Sequence, residues 1–172
     1  PGTVGGRRAH PPKAEKIWEL KINKKERKKA IRSAIAATAN LNLVKERNPT
    51  LSLSLPIIIE SEFEKVNKTK EVKKILENLG LKKELERTEK KKIRAGKGKM
   101  RNRKYKKKVG PLIVVSYDCP LLKAAPNIPG VDICPINSLN ALLLAPGSKP
   151  GRLTIYTESA IENLRTKKLF LS

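Results

Sequence analysis

The sequence predicts an α/β fold, a layered sandwich on a mainly parallel sheet, with an extended basic N-terminal arm and a basic internal loop. Three observations carry this. Leu55-Pro56-Ile57-Ile58-Ile59, Leu112-Ile113-Val114-Val115, Val131-Asp132-Ile133-Cys134 and Leu153-Thr154-Ile155-Tyr156 are short aliphatic runs, the pattern of strands covered on both faces. Segments of helical spacing alternate with them, as parallel α/β sheets require. Hydrophobic content is 38% but aromatic content only 3%, so the core is built from Leu, Ile, Val and Ala, and 172 residues are enough to bury it in one domain.

Residues 1–22 form the arm. Gly2, Gly5 and Gly6 loosen the backbone, Pro11 and Pro12 favour an extended one, and residues 1–16 offer almost nothing apolar to bury. Residues 23–168 are the α/β domain, with a basic insertion at 90–108, and 169–172 are a tail. In the first helix Ile31 and Ile35 anchor an apolar face with Ala34 and Thr38; Asn23 is placed to cap its start and Asn40 to close its end. A strand over 55–60 follows, then Ser61 and Glu64 at capping-box spacing. Val72, Ile75, Leu76 and Leu79 mark a helix from about 69 to 79, with Gly80 at its C′ position, and a charged helix runs from about 83 to 92. Beyond the insertion the spacing predicts a strand over 112–116, a helix over 121–125 stopped by Pro126, a strand over 131–134, a helix over 138–144 and a strand over 153–156. Ser159 and Glu162 have capping-box spacing for a last helix through about 164.

Charge dominates the functional reading. There are 39 Lys and Arg against 16 Asp and Glu, a formal net charge of +23. Charge of this size repels itself in an isolated compact state and invites a polyanion, nucleic acid first. It is concentrated in Lys90–Lys108, where twelve of nineteen residues are cationic and none is acidic. No core can absorb so many cations, so the run faces water or a polyanion. Gly96 and Gly98 permit close approach of the main chain, Arg103, Lys104 and Lys106 are available to phosphates, and Tyr105 among them is suited to stacking on an unpaired base. Arg7, Arg8 and Lys13 of the arm can track a phosphate backbone. Lys24, Lys25, Arg27, Lys28 and Arg32 crowd the start of the first helix, where cations oppose the helix dipole, so phosphate contact explains them better than stability does.

Other chemistry fits poorly. Cys119 and Cys134 lack the paired spacing of a zinc site and read as buried reduced thiols. Asp118 follows a strand and Asp132 opens one, so a parallel sheet puts them at opposite edges, and Asp118 reads as a turn residue before Pro120. Gly96-Lys97-Gly98-Lys99-Met100 lacks the hydroxyl and the preceding strand of a phosphate-binding loop. His10, the single histidine, lies in the arm, away from any nucleophile-base pair. No metal, cofactor or small-molecule substrate is implied.

Specific strings sharpen the expectation. Gly5-Gly6-Arg7-Arg8-Ala9-His10-Pro11-Pro12-Lys13, Asn23-Lys24-Lys25-Glu26-Arg27, the run Ala30–Ala39, Arg94-Ala95-Gly96-Lys97-Gly98-Lys99-Met100-Arg101, Leu121–Ala125, Asn127–Asp132 and Pro150-Gly151-Arg152-Leu153-Thr154 resemble the large-subunit ribosomal protein "L four" family, archaeal/eukaryotic branch. The resemblance implies an α/β domain with a long loop that passes through ribosomal RNA to the wall of the nascent-peptide exit tunnel, in a structural, non-enzymatic component that supports subunit assembly. It makes residues 5–13, His10 included, the return limb of that loop, and Arg94, Lys97, Lys99 and Arg101 part of an RNA-contacting insertion. It implies ribosomal RNA and neighbouring ribosomal proteins as partners, no membrane, and a cytoplasmic site in the ribosome. The family's first strand and helix and most of its tunnel loop have no counterpart in these residues, and Pro126 and Pro135 stand where ordinary residues are expected, shortening a helix and a strand. The alternative is an RNA-modifying or RNA-cleaving enzyme, which would require clustered carboxylates or an activated nucleophile.

Overall fold

The strands are β1 (Ile57–Ile59), β2 (Lys92–Ile93), β3 (Tyr105–Lys106), β4 (Leu112–Val115), β5 (Asp132–Pro135) and β6 (Thr154–Thr157). Four of them pair in parallel in the order β1-β6-β4-β5, and β2 with β3 makes a separate ribbon. The computed structural model describes residues 1–49, 51 and 53–171. Register places Ile57 beside Ile155, Ile155 beside Ile113 and Ile113 beside Ile133, a row of isoleucines across the sheet. All four belong to one apolar cluster with Val72, Leu76, Leu85 and Leu121, supplied by α3 (Thr69–Leu76), α4 (Lys82–Glu89) and α5 (Leu121–Ala124). The alternate residues Leu112, Val114 and Tyr156 belong to a second cluster with Ile31 and Ala34 of α1 (Lys24–Ala39), Leu144 of α6 (Ala141–Leu144) and Ala160 of α7 (Glu158–Thr166). Successive strand side chains point to opposite faces, and both faces are occupied, so the runs are continuously apolar. Each fully buried aliphatic side chain contributes about 1.5–3 kcal/mol.

The mixed α/β fold with its parallel sheet agrees with expectation, and several local details differ. Asn23 makes no side-chain cap for α1, whereas Asn40 closes α1 and starts a helix that spacing does not predict, α2 (Leu41–Arg47), its side chain accepting from the Asn42 N–H at 3.0 Å. Seven residues with one fully buried anchor, Val44, are too few to show a helical period. The 69–79 helix ends at Leu76 and passes through a wider turn, Glu77–Leu81, directly into α4; Gly80 takes the left-handed conformation there, at φ +81°. Ser61 and Glu64 do not form a capping box: they lie in a 3₁₀ turn that carries Glu64 inward. Ser159 and Glu162 do not either. Thr157, two residues earlier, caps α7 by accepting from the Ala160 N–H at 3.3 Å.

Helix α5 stops at Ala124, before Pro126. Pro135 ends β5, an edge strand paired only with β4, where a missing N–H removes little from the ladder. The 138–144 helix is divided into a 3₁₀ turn, Ile136–Ser138, and α6, which Asn140 caps. At the expected tail, Leu169 and Phe170 pack on the α1-side cluster, while Ser172 lies outside the described residues.

Candidate nucleic-acid interface

The basic insertion is a hairpin. Strands β2 and β3 pair antiparallel, and a 3₁₀ turn, Lys97–Met100, forms the tip. Gly96 enters the turn at φ +79°, a left-handed conformation that a side chain would strain. Arg94 holds the hairpin from inside: its N–H donates to Lys104 O at 2.8 Å and its Nε to Arg103 O at 3.0 Å. A Cβ on Gly98 would fall 2.9 Å from Arg94 Cδ, so the glycine is what lets that side chain cross the ribbon. Lys97, Lys99, Arg101, Arg103 and Lys104 remain exposed. Tyr105 is half-exposed opposite Ile93, with Lys91 and Lys104 ammonium groups 5.8 and 5.6 Å from its ring centroid. Lys92 and Lys106 are directly opposite each other. Like charges in that relation destabilise a ribbon, and two strands alone are marginal in water.

The hairpin rises from a cationic cleft. Arg47, Arg87, Lys90, Lys92, Lys106, Lys107, Lys108 and Arg152 line a recess of about 430 Å³ at its base. Three guanidinium groups build the wall. Buried Arg152 donates through Nε to Gly110 O at 2.9 Å, through one terminal nitrogen to Leu143 O at 2.8 Å, and through the other to the Asp132 carboxylate. Arg87 is forked onto Glu84 at 2.6 and 2.7 Å and also donates to Val109 O at 2.7 Å. Arg47 donates to Pro146 O and Lys149 O. Burial, and then the neighbouring Arg152 and Arg87 cations, pull Arg47 below the ordinary guanidinium value. Gly110 and Gly130 fix the hairpin's return to the sheet, because a Cβ on either would meet Thr88 at 2.7 Å. No local pattern in the sequence marks this wall: Arg47, Arg87 and Arg152 stand far apart in the chain, in unrelated contexts, and meet only through folding.

The remaining expected residues occupy two other places. Lys24, Lys25, Arg27 and Arg32 are exposed on α1, and Lys28 reaches the Leu171 carbonyl at 3.2 Å. Arg7, Arg8, His10 and Lys13 are exposed on the arm, where residues 1–23 form no helix or strand. The structure therefore gathers the hairpin and cleft cations at one end of the sheet and displays those of α1 and the arm separately.

At the carboxyl ends of the strands, where open α/β sheets bind ligands, the space is filled from within. Glu64 Oε1 accepts from the Ser116 N–H at 2.9 Å, Thr157 Oγ1 at 2.6 Å and Ser159 Oγ at 2.8 Å, and Oε2 accepts from Ser116 Oγ at 2.7 Å. Burial pushes this carboxyl up, and the hydrogen bonds from Thr157, Ser116 and Ser159 more than reverse it, leaving it below the usual glutamate range. These donors match the roughly four acceptor sites of a carboxylate, so Glu64 is a structural node. Asp118 is exposed in the following turn, and Asp132 lies at the far edge with Arg152. Cys119 is half-buried, Cys134 buried, both are free, and burial raises both thiols.

Fold and surface define an α/β protein whose charge is displayed on a hairpin, a cleft, a helix face and an arm. The family model described as Ribosomal protein L4/L1 family matches residues 1–167. The large ribosomal subunit protein uL4 of Nanoarchaeum equitans is 55% identical over 168 residues, covering 97% of this chain and 62% of that protein. That of Archaeoglobus fulgidus is 52% identical, covering 95% and 66%, and that of Methanocaldococcus jannaschii 55% identical, covering 97% and 67%. The chain belongs to the ribosomal protein L4/L1 family. It spans between 62% and 67% of the length of these three relatives. Among the described residues no helix is long and apolar enough to cross a membrane.

Proposed function

We propose that the chain is a non-catalytic structural constituent of the large ribosomal subunit, which binds ribosomal RNA and supports subunit assembly. The observation that carries this reading is surplus positive charge: Lys92 faces Lys106 across a two-stranded ribbon above a cleft lined by eight cations, and among the described residues only Arg87 and Arg152 of these are paired with a carboxylate. A phosphate backbone turns that repulsion into attraction and holds the ribbon in place.

In this reading the layered α/β sandwich, residues 23–168, is a scaffold. It presents the insertion 90–108 to folded RNA, with Arg94, Lys97, Lys99, Arg101, Arg103, Lys104, Tyr105 and Lys106 as contacts, the cleft cations beneath them, and the first turns of α1 as a second contact. The arm, residues 1–22, follows the RNA toward the exit tunnel through Arg7, Arg8, His10 and Lys13. Neighbouring ribosomal proteins are further partners, no cofactor or small molecule is required, and the site of action is the cytoplasmic ribosome. Sedimentation of the native protein with large subunits tests the assignment: co-sedimentation at moderate salt is expected, and recovery solely as free protein overturns it. Replacing Lys97, Lys99 and Arg101 by Gln should weaken binding to large-subunit RNA while the circular dichroism of the domain is unchanged.

A further inference from the structure

We infer that Trp18 is a base-stacking residue: the base of the arm takes one unpaired nucleotide, with the base on the Trp18 indole and the phosphates on Arg8, Lys13 and Lys16. This rests on the reading of the chain as an RNA-binding protein and adds the residue, and the state of the RNA, that the arm recognises. Trp18 is the single tryptophan of the chain, and 73% of it is exposed. It contributes to neither apolar cluster of the domain. Around it the arm folds into a recess of about 770 Å³, within the size range of small-ligand sites, lined by Arg8, His10, Lys13, Glu15 and Lys16. A turn in which the Lys16 N–H donates to Lys13 O at 3.3 Å brings these two lysines together. Lys16 Nζ lies 4.5 Å from the indole centroid, within cation–π range.

Charge and a π-face therefore occupy one place. RNA uses both at once, phosphate on the cations and base on the ring. A greasy groove on a protein would also accept Trp18, together with exposed Leu20 and Ile22, but it would have to strip water from the Lys16 ammonium lying on the indole. Among the described residues Glu15 is the one carboxylate lining the recess, against Arg8, Lys13 and Lys16. A paired base offers its neighbours, not Trp18, its faces, so the ligand is unpaired RNA.

The single tryptophan makes the test direct. The full chain is titrated with a labelled 12-nucleotide oligoadenylate and, separately, with a 12-base-pair RNA duplex, following tryptophan emission and label anisotropy. Oligoadenylate should quench Trp18, and the duplex should bind without quenching it. Trp18→Phe should keep oligoadenylate affinity within a few-fold, while Trp18→Leu and Trp18→Ala should lose roughly 5- to 150-fold, the span of base–aromatic stacking. All three variants should keep the wild-type circular dichroism. If anisotropy reports binding but emission does not move, or if Trp18→Leu binds like wild type, the stacking role is wrong while RNA binding stands. An emission change that needs an RNA-free ribosomal-protein fraction, and not oligoadenylate, assigns the face to a protein and overturns the inference. If neither oligoadenylate nor large-subunit ribosomal RNA binds, the RNA-binding reading falls with it.

Discussion

The two ends of the sheet treat charge in opposite ways. At the carboxyl end a single carboxylate, Glu64, is buried and meets four donors from Ser116, Thr157 and Ser159. At the amino end Arg152, Arg87 and Arg47 are tied to carbonyls and two carboxylates, and five lysines around them line the same cleft. The first end is complete in itself. The second carries more positive charge than its own carboxylates neutralise. In the function proposed above, that surplus charge is what meets the phosphate backbone. The same contrast separates the two ends by expected response, since one set of changes should act on stability and the other on binding.

The largest expected effect is on binding. Engagement of roughly 6–10 phosphates should reduce affinity for large-subunit RNA by about 10³–10⁵ between 50 and 200 mM salt. A filter-binding titration checks this, and a flat salt response would erase the contrast between the two ends. Next is Glu64→Gln, which keeps the shape and removes the charge. Chemical denaturation should show a loss of about 1.5–3 kcal/mol, because the donors lose a charged acceptor, while RNA affinity of the folded protein is unchanged. Its pH dependence has a fixed sign. The Glu64 carboxyl is depressed in the folded state, so its contribution is present above the value of a glutamate in the unfolded chain, about 4.3, and is lost as pH falls through the lower folded value. Wild type should lose stability in that acid window, and Glu64→Gln should lack this component.

Gly130→Ala tests the link between domain and hairpin. Gly130 sits at φ +79°, and a Cβ would meet Thr88 at 2.7 Å and Lys108 O at 2.9 Å. A cost of about 1–3 kcal/mol is expected, with reduced RNA affinity if the hairpin is displaced as a unit. Smallest in stability is the pair Lys92→Gln and Lys106→Gln. Removing the cross-strand repulsion should stabilise the free protein by about 0.2–1 kcal/mol or leave it unchanged. The same substitutions should lower the salt slope of RNA binding by roughly one for each phosphate that is no longer neutralised. A variant that gained stability and kept its full slope would place the RNA elsewhere.

Much of the fold is legible in the sequence because it depends on local pattern. The apolar runs at 57–59, 112–115 and 154–157 are strands because β-branched residues covered on both faces leave no alternation to hide them, and Gly80, expected to close a helix, takes its positive φ in the wider turn between α3 and α4. The exposed cations of the insertion are equally plain, since no core could hold them. Spacing misleads where one local motif has two uses. Ser61 with Glu64, and Ser159 with Glu162, have capping-box spacing, yet Glu64 and Ser159 bond to each other across 95 residues. Spacing within a helix turn carries no information about such a partner. Trp18 is misleading too, because Trp18-Glu19-Leu20-Lys21-Ile22 alternates with the period of a strand, yet residues 1–23 form none.

Residue type and short-range spacing were sufficient for the alternation of strand and helix, the aliphatic core, the surplus of cations with its concentration at 90–108, and the family strings. Sterics and burial act on such features directly, residue by residue. Folding was needed to show that Glu64 closes the carboxyl edge, that Arg47, Arg87 and Arg152 converge beneath the hairpin, and that Lys92 faces Lys106. The first two join residues far apart in the chain, and the third depends on the register of a ribbon. Electrostatic energy depends on distance and burial, and both exist only once the sheet has brought the elements together.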